Sequence, residues 1–71
     1  MLNNKSSKSS WPELVGKDGN EAVLAIQRER SDISNMVLVK RGSMVTADVR
    51  MDRVRVWIGE DNIVFKPPRV G

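Results

Sequence analysis

Apolar residues at helical spacing identify one helix near the start of the chain. These residues lie between positions 22 and 26 and share one face of the predicted helix. Leu24 points away from that face, and the residues after Ile26 are polar or charged. Asp18, followed three residues later by Glu21, matches the capping box that opens many helices. The pattern predicts a helix from about Gly19 to Arg30, and its buried face comprises Ala22, Val23, Ala25 and Ile26.

Three later segments have the composition of strands. The run "MVLVK", residues 36–40, is apolar and rich in β-branched residues, which predicts a buried strand. In "DRVRVWI", residues 52–58, valine and isoleucine alternate with two arginines and a tryptophan, so one face should meet the core. The run "IVFK", residues 63–66, predicts a third strand that pairs antiparallel with the second through the turn "GEDN". The ending "PPRVG" should not extend a central strand, because proline lacks the amide donor.

The start of the chain divides into a polar tail and an anchor. Residues 1–9 are polar and serine-rich without the apolar run of a secretory signal peptide, which predicts a mobile tail. The following residues, 10–71, are expected to form one small domain. Trp11, Leu14 and Val15 offer apolar contacts to the core, and Pro12 argues against a regular helix there.

A long connection separates the first two predicted strands. The segment "RGSMVTADVRMD", residues 41–52, lacks the punctuation of a tight hairpin. Loops of about a dozen residues in compact domains are usually functional or disordered. The centre, "MVTADV", contains no glycine or proline, which predicts an extended segment held away from the body of the domain.

Composition limits the possible chemistry. The 71 residues include no cysteine and no histidine, so disulfides, zinc-type metal sites and the common nucleophile–base pairs cannot be built. We therefore expect no enzyme activity, no cofactor and no metal. A net charge of +3 permits binding to nucleic acid, although such a charge is more often a solvated surface. No apolar run approaches the roughly 20 residues that span a bilayer, so no membrane partner is expected.

The arginines that follow the long connection suggest a specific role for it. Arg53 and Arg55 leave the same face of their strand, and guanidinium groups hold carboxylates and hydroxyls in fixed geometry. Thr46 and Asp48 supply such acceptors and share one side of an extended loop, so Ala47 between them would point outward. A loop held in this way is suited to another protein's cleft, because it loses little conformational entropy on binding.

Two other interpretations of these arginines remain open. They can be ordinary solvated residues that protect a strand edge from pairing. They can also form a small nucleic-acid-binding face, in which Arg53 and Arg55 contact phosphates and Trp57 stacks on a base. A seed storage or structural protein with a vestigial loop is a further possibility.

Four motifs, in this order and spacing, resemble a known family. They are "WPELVGK" from Trp11, "G-x-x-VT-x-D" from Gly42, "R-x-DRVRV" from Arg50 and the ending "PPRVG". This set is similar to the potato inhibitor I family of serine protease inhibitors. The resemblance implies a wedge-shaped α+β domain, in which one helix packs on a small mixed sheet. It also implies that the inhibitory loop lies between two parallel strands, which would explain the length of the connection.

The resemblance also implies a reactive site and a partner. The scissile bond would be Ala47–Asp48, with a serine endopeptidase bound one-to-one by a monomer. A methyl group at Ala47 suits elastase-like or subtilisin-like enzymes. Two positions depart from the family pattern: Met51 stands where many members have a disulfide cysteine, and Val49 where an aromatic residue is usual. The implied protease-binding loop is Met44, Val45, Thr46, Ala47, Asp48, Val49 and Arg50, and the implied bracing residues are Thr46, Asp48, Arg53, Arg55 and Gly71.

Overall fold

The computed structural model describes residues 8–71, which form one helix and a three-stranded sheet. This α+β architecture confirms the predicted fold class. The elements in chain order are a 3₁₀ turn at Pro12–Leu14, helix α1 at Gly19–Glu29, and strands β1 at Asn35–Lys40, β2 at Arg53–Ile58 and β3 at Arg69–Val70.

The predicted tail, residues 1–9, lies mostly outside the described residues and stays a prediction. Its last two residues are described, and both are tied to the domain. The main-chain oxygen of Lys8 accepts a hydrogen bond from Arg30 Nη1 at 2.7 Å, and that of Ser9 accepts one from the amide of Val70 at 2.9 Å.

Helix α1 begins and ends close to the predicted positions. Asp18 is its N-cap, and the carboxylate accepts a hydrogen bond from the amide of Asn20 at 3.0 Å rather than from that of Glu21. The predicted face is confirmed, because Ala22 and Ile26 are fully buried while Leu24 is 53% exposed. The helix therefore presents one apolar stripe to the sheet.

The sheet has the order β1-β2-β3, with β1 and β2 parallel and β2 and β3 antiparallel. The expected parallel pair is confirmed, with a register from Asn35 opposite Arg53 to Lys40 opposite Ile58. Because parallel strands begin at the same end, the chain must return along the length of a strand, about 20 Å, before β2 starts. Residues 41–52 make this return.

The prediction for the third strand was wrong. Residues 63–66 make only isolated bridges, in which Ile63 pairs with Asp18 and Val64 with Ile58. The backbone of Val64 contacts two different segments. It pairs with Ile58 of β2, and its amide donates to Lys17 O, just before α1, at 2.9 Å. The third strand is instead Arg69–Val70, which pairs with β2 at an edge just after Pro67 and Pro68.

The prediction that β1 is buried was also wrong, although the strand itself is confirmed. Val39 is its one buried residue, whereas Val37 and Leu38 are 40% and 38% exposed. The cause is position: β1 is an edge strand, and α1 packs mainly on β2. Val15, expected to contact the core, is 43% exposed.

The core lies between α1 and the apolar face of β2. Trp11 is fully buried against it, and its indole N–H donates to the carboxylate of Glu29. No polar or charged residue in the described part of the chain is buried. No helix within residues 8–71 is both long and apolar enough to cross a membrane. The core cluster comprises Trp11, Leu14, Ala22, Ile26, Ile33, Val54, Val56, Ile58 and Val64.

Candidate functional site

The connection between β1 and β2 is an exposed loop without regular secondary structure in its centre. Met44 is 96% exposed, Val49 75% and Met51 73%. Apolar side chains gathered on one exposed segment are typical of a surface that contacts another molecule. The loop is thus the strongest candidate for a binding site in the described part of the chain.

The loop leaves β1 through a main-chain turn. The amide of Arg41 still follows the sheet and donates to Ile58 O at 2.8 Å. The amide of Ser43 then donates back to Lys40 O at 3.0 Å, and Gly42 between them has a φ of +87°. Residues with a Cβ rarely adopt this conformation, so glycine is required for the chain to change direction here.

Arg53, the first residue of β2, holds the loop after Ala47. Its Nη2 donates to the main-chain oxygen of Asp48 at 2.8 Å, and its Nη1 lies 3.3 Å from the Asp48 carboxylate. Its Nε donates to the main-chain oxygen of Gly71 at 2.7 Å. Because the guanidinium is planar, these bonds fix its orientation between the loop and the end of the sheet.

Arg55 holds the loop before Ala47. Its Nη2 donates to Thr46 Oγ1 at 2.9 Å and lies 3.8 Å from the Asp48 carboxylate. The side chains of Arg53 and Arg55 are only 11% and 18% exposed, whereas that of Asp48 is 50% exposed. The two arginines therefore form a sheltered layer beneath the loop.

The charge of Asp48 is favoured by its neighbours. A hydrogen bond from the Thr46 hydroxyl is the largest cause that holds the pKa of Asp48 below its ordinary value. Desolvation opposes it, and the positive charge of Arg53 adds to the lowering. The carboxylate is thus ionised at neutral pH and serves as an acceptor for the arginines.

The structure brings together the five residues predicted to brace the loop, and leaves Ala47 exposed between them. Met44, Val45 and Val49 are exposed as well, as a contact surface requires. Within residues 8–71, no group of three or more histidine, cysteine or acidic side chains is placed to hold a metal ion.

One interaction at the end of the loop escaped the sequence reasoning. Arg50, predicted only as a loop residue, turns back and pairs with Asp52 through two hydrogen bonds of 3.2 and 3.1 Å. The signal in the sequence was an arginine two residues before an aspartate. That spacing is too common in surface loops to indicate a pair without the backbone turn.

The nucleic-acid interpretation needs side chains that the fold uses elsewhere. Arg53 and Arg55, its two phosphate contacts, donate to Thr46, Asp48 and Gly71. Trp57, its stacking ring, has Lys66 Nζ over it at 4.4 Å from the ring centroid. Binding a polyanion through these side chains would therefore compete with the contacts that order the loop.

Comparison with known proteins identifies relatives of this chain. Residues 3–71 match the model of the potato inhibitor I family. The chain is 52% identical over 64 residues to the Glu S.griseus protease inhibitor of Momordica charantia, with 90% of this chain and 93% of that protein covered. It is 45% identical over 64 residues to subtilisin inhibitor CLSI-I of Canavalia lineata, with coverages of 90% and 95%.

A solved structure is similar over nearly the whole chain. The crystal structure of bitter gourd trypsin inhibitor superposes with a TM-score of 0.87 at 46% sequence identity. The match covers 97% of this chain and 100% of that one. The helix and the mixed sheet of this chain thus resemble the fold of that inhibitor.

Proposed function

The chain belongs to the potato inhibitor I family and is a serine protease inhibitor rather than an enzyme, and we propose that it acts through Ala47–Asp48 as its reactive bond. In this proposal, residues 44–50 occupy the protease cleft in the manner of a substrate. The domain from residue 10 to residue 71 binds one protease molecule as a monomer.

The observation that carries the proposal is the pair of contacts on the two sides of Ala47. Arg55 holds Thr46 before it, and Arg53 holds Asp48 after it. A loop ordered before binding loses less entropy in the complex, which raises affinity. Holding both sides of the bond also keeps the two new ends close after the protease serine attacks, which favours resealing over release.

The methyl side chain of Ala47 would decide which proteases bind. It fits a shallow pocket of the elastase type and is accepted by broad subtilisin-like enzymes. Trypsin rewards a cation in this pocket, and chymotrypsin a large ring. Each methylene group missing from an apolar pocket costs roughly 1–3 kcal/mol, so selectivity against chymotrypsin should be large. Against trypsin, Ala47 lacks the cation that pairs with the charge in the pocket.

The relatives widen the set of enzymes worth testing. One is named as a subtilisin inhibitor, one as a trypsin inhibitor and one as an inhibitor of the Glu S.griseus protease. A panel for this chain therefore contains pancreatic elastase, subtilisin, trypsin, chymotrypsin and a glutamate-specific protease of that type. Each is titrated with the protein at a fixed enzyme concentration.

We expect one-to-one inhibition of elastase or subtilisin and much weaker inhibition of trypsin. Ala47→Lys should reverse this order, because it supplies the cation that the trypsin pocket binds. Met44→Lys is the matched control: it adds the same charge three residues before Ala47, at a side chain that is 96% exposed and makes none of the bracing contacts. Inhibition of none of the five enzymes would refute the proposed function, and failure of Ala47→Lys to inhibit trypsin would refute Ala47 as the specificity residue.

A further inference from the structure

The segment that follows Asp48 has little apolar packing of its own. Val49 and Met51 are both largely exposed. Between and after them, Arg50 and Asp52 face each other: Arg50 Nε donates to Asp52 Oδ1 at 3.2 Å, and Arg50 Nη2 to Asp52 Oδ2 at 3.1 Å. This two-point contact is the geometry that best fixes a guanidinium against a carboxylate.

Asp52 continues the contact to the sheet. Its Oδ2 accepts a hydrogen bond from Asn35 Nδ2 at 3.3 Å, and its main-chain oxygen accepts one from the amide of Asn35 at 3.0 Å. Asn35 is the first residue of β1. Arg50, Asp52 and Asn35, here named the shoulder tie, thus link the end of the loop to the strand that precedes the loop.

We propose that the shoulder tie positions the chain after the reactive bond, so that the cleaved inhibitor is resealed rather than released. The inference rests on the proposed function for the identity of that bond. Arg53 holds Asp48 at one end of the segment, and the amide of Arg53 closes a turn onto Arg50 O at 3.3 Å at the other. The shoulder tie fixes the residues in between.

The chemistry explains why position matters at this point. When the protease serine attacks, its oxygen bonds to the carbonyl carbon of Ala47, and the bond to the nitrogen of Asp48 breaks. The serine proton passes through the protease histidine to that nitrogen. Resealing is the reverse: the free amine of Asp48 attacks the acyl carbon, the bond from that carbon to the serine oxygen breaks, and the proton returns through the histidine to the serine oxygen. Release of cleaved inhibitor instead requires water to attack the acyl carbon. Its rate depends on how closely the amine is held to that carbon.

Electrostatics keeps the shoulder tie formed at neutral pH. The pKa of the Asp52 carboxyl lies below its ordinary value, and the largest cause is its hydrogen bonding to the Arg50 side chain. The side chains of Arg50 and Asp52 are nonetheless 52% and 44% exposed. Exposed ion pairs contribute little to global stability, so the effect of this pair should fall on the position of the loop segment.

The chain contains a matched control for this pair. Arg30 and Asp32 have the same spacing, and Arg30 Nε and Nη2 donate to the Asp32 carboxylate at 2.9 Å each. This pair lies after α1 and outside the loop. Asp52→Ala and Asp32→Ala thus each remove one carboxylate from an arginine pair with the same spacing and the same two-point contact.

The test compares these two variants with the unaltered chain in two measurements. The first is backbone ¹⁵N relaxation of residues 49–52 in the free protein, which needs no protease. The second is the rate at which a complex with the inhibited protease releases cleaved inhibitor. We expect Asp52→Ala to increase the motion of residues 49–52 and to raise the release rate roughly fivefold, and Asp32→Ala to change neither.

The outcomes separate this inference from the proposed function. Unchanged relaxation and unchanged release in Asp52→Ala would overturn the shoulder tie, as would equal changes in Asp32→Ala. Asp52→Asn keeps the shape of the side chain and loses its charge. Its relaxation and its release rate should both lie between those of Asp52→Ala and those of the unaltered chain. If the unaltered chain inhibits no protease, the proposed function fails, and the relaxation data alone decide whether the shoulder tie holds the segment.

Discussion

The core and the loop of this protein are held by opposite kinds of interaction. The core beneath α1 consists of apolar side chains, with no buried polar residue among residues 8–71. The loop exposes its apolar side chains and is held from below by arginines. Burial provides most of the stability of a small domain, whereas directional polar contacts fix geometry. The difference implies that stability and inhibition can be altered separately.

The largest expected effect comes from breaking the core. Ile26→Ala removes a fully buried side chain beneath the helix and should lower the free energy of unfolding by about 2–5 kcal/mol. Leu24→Ala, on the exposed side of the same helix, is the control and should change stability by no more than about 0.5 kcal/mol. Urea denaturation followed by circular dichroism measures both. Equal losses in the two variants would contradict the assigned core.

The next effect comes from breaking the loop contacts while keeping the core. Arg53→Ala removes three hydrogen bonds and should weaken inhibition roughly tenfold to a hundredfold. Arg55→Ala removes the bond to Thr46 and should weaken it roughly fivefold. Inhibition constants and urea denaturation are measured on the same samples. If either variant lost as much stability as Ile26→Ala, the loop and the core would not be separable.

The smallest expected effect is the loss of the Asp48 carboxylate's contribution at low pH. The pKa of Asp48 is lowered in the folded protein, so its contribution is present above the ordinary aspartate value and is lost as the pH falls through the lowered pKa. Thr46→Val should raise the Asp48 midpoint, because the hydroxyl hydrogen bond is the largest single cause of the lowered pKa. Carboxyl ¹³C chemical shifts measure this midpoint, and Arg30→Ala should leave it unchanged. A midpoint that stays in place in Thr46→Val would contradict the assigned cause.

Local patterns predicted the parts of the structure that depend on nearby residues. The stripe containing Ala22 and Ile26 indicated the helix face, and the alternation of valine with Arg53 and Arg55 indicated which face of β2 meets the core. The acceptors at Thr46 and Asp48 followed from the same period of two. The parallel pairing of β1 and β2 came from the family resemblance rather than from the pattern.

The misses depend on partners that lie far apart in sequence. The run Met36–Lys40 is apolar enough for a central strand, but nothing in it shows that it has a neighbour on only one side. Ile63 and Val64 have strand composition, but they pair with residues before and after the helix instead of forming a ladder. The pairing of Arg50 with Asp52 needs a turn that joins the loop to Asn35, whose position depends on the parallel register.

The two tryptophans supply an optical probe for each region. Trp11 is fully buried in the core, so its fluorescence should report unfolding. Trp57 lies on the face of β2 that carries Arg55, with Lys66 over its ring, so its emission should respond to changes on that face. Trp57→Phe and Trp11→Phe would each leave one emitter. The chain therefore carries two indoles in different surroundings, so single-tryptophan variants can follow the core and the arginine-bearing face of β2 separately, without an added dye.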